Sequence, residues 1–123
     1  MTMGNNYELG MEGEREAVKY LKKEGYKILE TNWHFHRYEI DIIAQKGDVL
    51  AIVEVKTRAT DYFGDPEDAV DYKKRRKIVE SADAYIEERD LDIEVRFDIV
   101  AILKTKEGLK LRYIEDAFLP FEM

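Results

Sequence analysis

Hydrophobic positions recur along this chain with two periods, and the change from one to the other marks its elements. Residues 39–58, EIDIIAQKGDVLAIVEVKTR, are two arms rich in Ile and Val around a glycine. They predict a β-hairpin: Glu39–Gln45 outward, Lys46–Asp48 around the turn, Val49–Thr57 back. On the return arm Leu50, Ile52, Glu54 and Lys56 share one face, and Ala51, Val53 and Val55 share the other. Both faces are mostly apolar, as in a central strand covered on both sides. Before the hairpin, Tyr7–Glu24 has helical periodicity: at 100° per residue, Gly10, Met11, Ala17, Val18 and Leu21 fall within roughly 60° of Glu14. Gly25 is placed to end that helix. Tyr26–Thr31 reads as a short strand, and residues 32–37 join it to the hairpin as a bulged continuation or a loop.

After the hairpin, Ala59–Pro66 reads as a loop. Asp65-Pro66 suits an N-cap with proline at the first helical position. A helical stretch runs on to about Arg89, with a break expected near Asp71 and a buried stripe of Ile78, Ala82, Tyr85 and Ile86. Val95–Leu103 and Leu109–Ile114 are further strands, with Ala117–Phe121 packing or trailing at the end. The order α-β-β-β-α-β-β predicts an α/β fold, a mixed central sheet flanked by helices, in a single domain spanning residues 1–123.

Composition narrows the function classes. At 123 residues, with 45% hydrophobic and 38% charged residues, the chain can bury a core without staples. With no cysteine, disulfides, thiolate metal sites and thiol nucleophiles are excluded. No apolar run reaches the length of a membrane span and no signal-peptide core is visible, so a cytoplasmic protein without a membrane partner is expected. The net charge of -7 opposes a uniformly basic nucleic-acid binder, yet Lys73-Lys74-Arg75-Arg76-Lys77 is an unbroken cationic run, with Lys56 and Arg58 shortly before it.

The candidate chemistry lies where charge interrupts the apolar pattern. Glu14 sits mid-face on its helix, Asp41 is on the outgoing arm, and Glu54 with Lys56 is on the return arm. Charges in such settings are costly unless paired or ion-bound. Oxygen ligands alone suit Mg²⁺ or Mn²⁺, and such an ion can activate water for attack on phosphorus. Lysine beside it can orient the water or offset transition-state charge. In a chain with 27 acids, an acid-x-Lys pattern also arises by chance, so its placement on apolar strands is what raises its value. Parity supplies a condition. For Asp41 to face the side of Glu54, paired positions must sum to an odd number, which requires an even turn or a bulge.

EIDIIA, VEVKTR, FGDPEDAV and RFDIVAI, in this order and spacing, resemble the YraN-like family, a largely uncharacterised group within the restriction-endonuclease-like superfamily with the PD-(D/E)xK pattern. The resemblance covers nearly the whole chain. It implies a restriction-endonuclease-like αβββαβ core and a Mg²⁺- or Mn²⁺-dependent phosphodiesterase site. Asp41, Glu54 and Glu14 would be the metal set, with Lys56 completing the catalytic group. Glu39 takes the glutamate of the family's GEID-like motif, supporting a ligand or facing DNA. Lys74 matches a family lysine and, with Arg75 and Arg58, is expected near substrate. Two departures bear on the approach to the cleft: Tyr38 stands where the family has glycine, and His34 and His36 replace arginines.

The expected function is hydrolysis of phosphodiester bonds in DNA, ahead of RNA, with branched or structured DNA among the substrates. A homodimer is compatible with the superfamily, although no dimer surface is visible. The alternatives are a non-catalytic nucleic-acid-binding or adaptor protein on the same scaffold, and a metal-free interaction domain in which Asp41, Glu54 and Lys56 form only a buried ion-pair network. For Asp98, pairing with a basic neighbour stands beside a catalytic duty. His34 and His36 are expected to be exposed polar residues, and Trp33 an anchor.

Overall fold

The computed structural model describes residues 2–59 and 71–119, with side chains from residue 8 onward. Helix α1 (Thr2–Lys23) is followed by strands β1 (Lys27–Phe35), β2 (Tyr38–Lys46) and β3 (Val49–Arg58), helix α2 (Tyr72–Glu88), and strands β4 (Glu94–Thr105) and β5 (Gly108–Phe118). The sheet order is β1-β2-β3-β4-β5. Only β3 and β4 are parallel, so the crossover between them carries α2; the other neighbours are antiparallel. This is the expected α/β architecture, a mixed sheet with its helices packed on it. The expected loop at residues 59–66, its Asp65-Pro66 cap and the FGDPEDAV motif fall largely outside the described residues. The expected break near Asp71 is the N-cap of α2, whose carboxylate accepts from the Lys74 amide at 2.8 Å.

Two apolar layers hold the sheet. One joins Ala17 and Leu21 of α1 to Ile42, Val53, Val100 and Ile102. The other joins Ile78, Ala82 and Tyr85 of α2 to Ile43, Leu50, Ile52 and Ile99. β3 contributes to both, which explains its continuous apolar reading. Helix α1 ends as anticipated at Gly25: the Tyr26 amide reaches Leu21 and the Gly25 amide reaches Lys22, a Schellman closure. Gly13 is needed for a different reason. A Cβ there would lie 2.1 Å from Thr57 Oγ1, so α1 rests directly on β3.

The hairpin turn is one residue shorter than the sequence suggested. Lys46 belongs to β2, and Gly47-Asp48 alone turn the chain, with Gly47 at φ 58. A positive φ at the first central position is what a two-residue hairpin turn of the II′ kind demands. The register therefore runs from Lys46↔Val49 to Ile42↔Val53. Every pair sums to an odd number, and the parity condition is met without a bulge.

Candidate active site

The same register would next set Asp41 opposite Glu54, but the regular ladder has ended there. The Val55 amide donates instead to Asp41 Oδ2 at 2.8 Å. On the other side of β2 the pairing passes from Thr31↔Ile42 to Trp33↔Ile40, with Asn32 between them in the left-handed region at φ 50. Around Asp41, then, β2 is loosened from both neighbours. Ile42 packs in the α1 layer whereas Ile40 packs in the α2 layer, so the strand changes its facing across this residue.

The loosened strands open a cleft of about 680 Å³, whose lining includes Glu14, Asp41, Glu54, Lys56, Arg58 and Lys74. Asn32 and Glu39 line it too. A smaller, more apolar depression of about 390 Å³ beside it shares Glu14 and Asn32. Burial pushes the Asp41 carboxyl up to about 8, reinforced by the charge of Glu54 and by a hydrogen bond between the two carboxyl groups; the Val55 amide opposes the shift. Glu54 is 7% exposed and pairs with Lys74 Nζ at 2.9 Å and Lys56 Nζ at 3.9 Å. Burial pushes the Lys56 amine down, as does its hydrogen bond with Lys74, against the pull of Glu54. For Lys74, burial acts downward but the charge and hydrogen bond of Glu54 prevail, and its pKa is raised. A carboxyl that holds its proton and an amine pushed toward losing one thus share one partly dry place, a pattern that concentrates at functional sites.

Glu14 reaches the cleft without joining this inner group. Its Oε2 accepts from Asn32 Nδ2 at 3.1 Å, and its charge still helps hold the proton on Asp41. The same Asn32 amide donates to Glu39 Oε2 at 3.3 Å, and Glu39 Oε1 meets His34 Nε2 at 3.0 Å. Among the described residues, no group of three His, Cys, Asp or Glu side chains is gathered as a ready ligand set. Arg58 donates to the Thr57 carbonyl at 3.1 Å. Arg75 lies over the Phe118 ring at 5.3 Å, turned toward β5. Lys74, expected near substrate, lines the cleft and pairs there with Glu54. Asp98 belongs to a separate buried network with Arg96, Tyr26 and Tyr113. Two parts of the site were not anticipated, the Val55 amide and the linking role of Asn32. The first is backbone and has no sequence signal. The second had one, because an Asn inside a strand tolerates a left-handed backbone better than other residues.

The sequence profile described as Uncharacterised protein family UPF0102 matches residues 13–102, which contain every residue of this inner group. The chain belongs to that family. Among UPF0102 proteins, one from Parabacteroides distasonis is 54% identical over 116 residues, covering 94% of this chain and 96% of its own. Another from Christiangramia forsetii is 48% identical over 119 residues, covering 97% and 100%. A third, from Flavobacterium psychrophilum, is 48% identical over the same length with the same coverage. Membership in UPF0102 agrees with the YraN-like resemblance, and the UPF0102 match begins at Gly13, where α1 meets β3. No helix among the described residues is long and apolar enough to cross a membrane.

Proposed function

We propose that this protein is a Mg²⁺- or Mn²⁺-dependent nuclease of the PD-(D/E)xK kind, cleaving phosphodiester bonds in DNA within the cytoplasm. The reading rests on one observation: the Asp41 and Glu54 carboxyls meet where β2 leaves the ladder, with Lys56 beside them. The donor set fits such an ion. It is all oxygen, and its second negative charge is tolerated only by retaining a proton, which a divalent cation would displace. One or two carboxylates suffice for Mg²⁺, which keeps several of its waters. Asp41 and Glu54 would hold the ion, with Glu14 reaching it directly or through water. The ion's contribution would be Lewis acidity toward a phosphate oxygen and toward water.

The chain's own groups supply the rest. The Val55 amide fixes the Asp41 carboxylate so that one oxygen remains directed into the cleft. Lys56, with its depressed pKa, is suited to accept a proton from an attacking water or to stabilise charge on phosphorus. Lys74 and Arg58 line the route by which a phosphate backbone would approach. DNA is preferred over RNA on the family resemblance.

A second reading, a non-catalytic nucleic-acid-binding or adaptor protein, is favoured by the Lys74 ammonium, which already neutralises Glu54 at 2.9 Å. One assay separates the two. Junction, flap and duplex DNAs are incubated with the protein, with and without Mn²⁺. Metal-dependent cleavage that disappears in Asp41→Asn supports the nuclease. Salt-dependent binding without cleavage of any substrate supports the adaptor.

A further inference from the structure

Beside the cleft stands a surface whose composition is unlike the rest of the chain. Residues 33–38 and 72–77 contain six Lys or Arg, two His and no Asp or Glu, in a protein whose acids outnumber its bases 27 to 20. The fold brings these two segments together. Phe35 and Tyr38 pair at the tip of the β1–β2 hairpin, and Lys77 Nζ of α2 lies 5.0 Å over the Tyr38 ring. Trp33 anchors the hairpin from below by meeting Tyr85 edge-on at 5.1 Å. Phe35 stacks parallel to Trp33 at 6.4 Å and contacts His36 at 4.3 Å. Tyr38 is left 40% exposed, and Arg37, Lys73 and Arg76 are exposed on the same two segments. The Lys77 contact leaves an aromatic face of Tyr38 partly open to solvent beside these cations. The ion pairs of Arg76 and Lys77 with Glu80, at 3.9 and 3.6 Å, are surface pairs that phosphates can replace at little cost.

We propose that this hairpin tip and the first half of α2 bind an unpaired segment of nucleic acid, one base stacking on Tyr38 while phosphates follow the cations of α2. The inference rests on the nuclease reading for its destination and names the substrate class: a strand with unpaired nucleotides at the cleft. Stacking selects such a strand because bases within a duplex already stack on each other and expose no face. Position supports it. Asp41 follows Tyr38 by three residues of strand, about 10 Å, a distance that spans about three stacked nucleotides.

The test is binding without metal, which separates it from catalysis. A fluorescent oligothymidylate of about 20 nucleotides and a duplex of equal length are titrated with the full chain in chelator, by anisotropy, at about 50 mM salt. The oligothymidylate is expected to bind about tenfold or more tightly than the duplex. Tyr38→Ala is expected to weaken it about tenfold and Tyr38→Phe to leave it within twofold, since the ring does the work. Lys73→Gln with Arg76→Gln is expected to flatten the salt dependence. Equal affinity of Tyr38→Ala and the parent chain overturns the proposal, as does a preference for the duplex or no binding to either. Mn²⁺ titration of the same samples reads the centre independently. Oligonucleotide binding without Mn²⁺ binding leaves this inference standing and removes the nuclease reading; the reverse result does the opposite.

Discussion

At Asp41 three constraints converge on one carboxyl: burial, a second carboxyl, and a backbone amide that needs an acceptor. Its folded pKa of about 8 lies above the ordinary 3.8. Between those values the folded protein retains a proton that the unfolded chain has released. This contribution to stability is complete below about pH 4, declines as pH rises, and is gone above about pH 8. Metal-free protein is therefore expected to lose stability in urea from pH 5 to 8.5, and Asp41→Asn to flatten that slope while keeping an acceptor for Val55. An unchanged slope would remove Asp41 as the titrating group. Asp41→Ala is a poorer probe of the centre, because an orphaned Val55 amide would add about 1–3 kcal/mol of its own. By the same logic, Mn²⁺ affinity should climb with pH toward 8 and be lost in Asp41→Asn, measured by calorimetry. Lys74→Gln probes the competing cation. Removing one charge near Glu54 is worth about 1 kcal/mol in water, so Mn²⁺ affinity should rise about fivefold. No change, or a fall, would mean that Lys74 and the metal do not contend for Glu54.

Among the elements, α1 and the β2–β3 hairpin both line the cleft, and α1 approaches β3 closely at Gly13. Alanine is the better helix former by about 1 kcal/mol, so propensity alone says that Gly13→Ala stabilises. The 2.1 Å approach to Thr57 Oγ1 reverses the sign. Overpacking of this kind costs about 1–3 kcal/mol, and a net loss in denaturant midpoint is expected. Thr57→Ala in the same chain should recover most of it; equal losses in the single and double variants would show that the two residues do not oppose each other. Hydrophobic period alone located every described element, and the parity of Asp41 and Glu54 was legible as a condition on the turn. The turn itself was misread by one residue because Lys46 is as polar as the residues that follow it. Of the two expectations for residues 32–37, a bulged continuation or a loop, the first holds as far as Phe35: Asn32 takes a left-handed backbone and pairing resumes at Trp33. The pairing of Lys74 with Glu54 is not legible in the sequence, because a helix pattern gives the face of Lys74 but not the buried acid that this face meets.

Across the described residues the sheet carries two buried polar centres, and they differ in the kind of partners that meet their charges. In the one around Asp98, which is fully buried, Oδ1 accepts from Arg96 Nε at 2.9 Å and from the Asp116 amide at 3.0 Å. Oδ2 accepts from Arg96 Nη2 at 2.9 Å and from the Tyr113 hydroxyl, which burial and this contact hold far above its ordinary pKa. Arg96 also reaches Tyr26 and Glu115. Every lone pair of Asp98 has a donor, and none is left for a ligand. At Asp41 and Glu54 a single amide and two amines face two carboxyls, and Asp41 is held in its protonated form well above the ordinary carboxyl range. The sequence presents both centres alike, as acids within apolar strands, because the difference lies in Tyr26, just before β1, and in Tyr113 and Asp116 of β5, all distant in the chain. They should separate in experiment. Asp98→Ala breaks a satisfied buried pair, with a loss of about 3–5 kcal/mol, and a fall in Tm of about 10 °C or more. At a temperature where the variant remains folded, its Mn²⁺ affinity should match the parent's within twofold. Asp41→Asn should do the converse, abolishing Mn²⁺ binding at no comparable loss of Tm. If Asp98→Ala also lost the metal while still folded, the two centres would be coupled through β4 and β3, and the division of the sheet into a structural and a chemical end would fail.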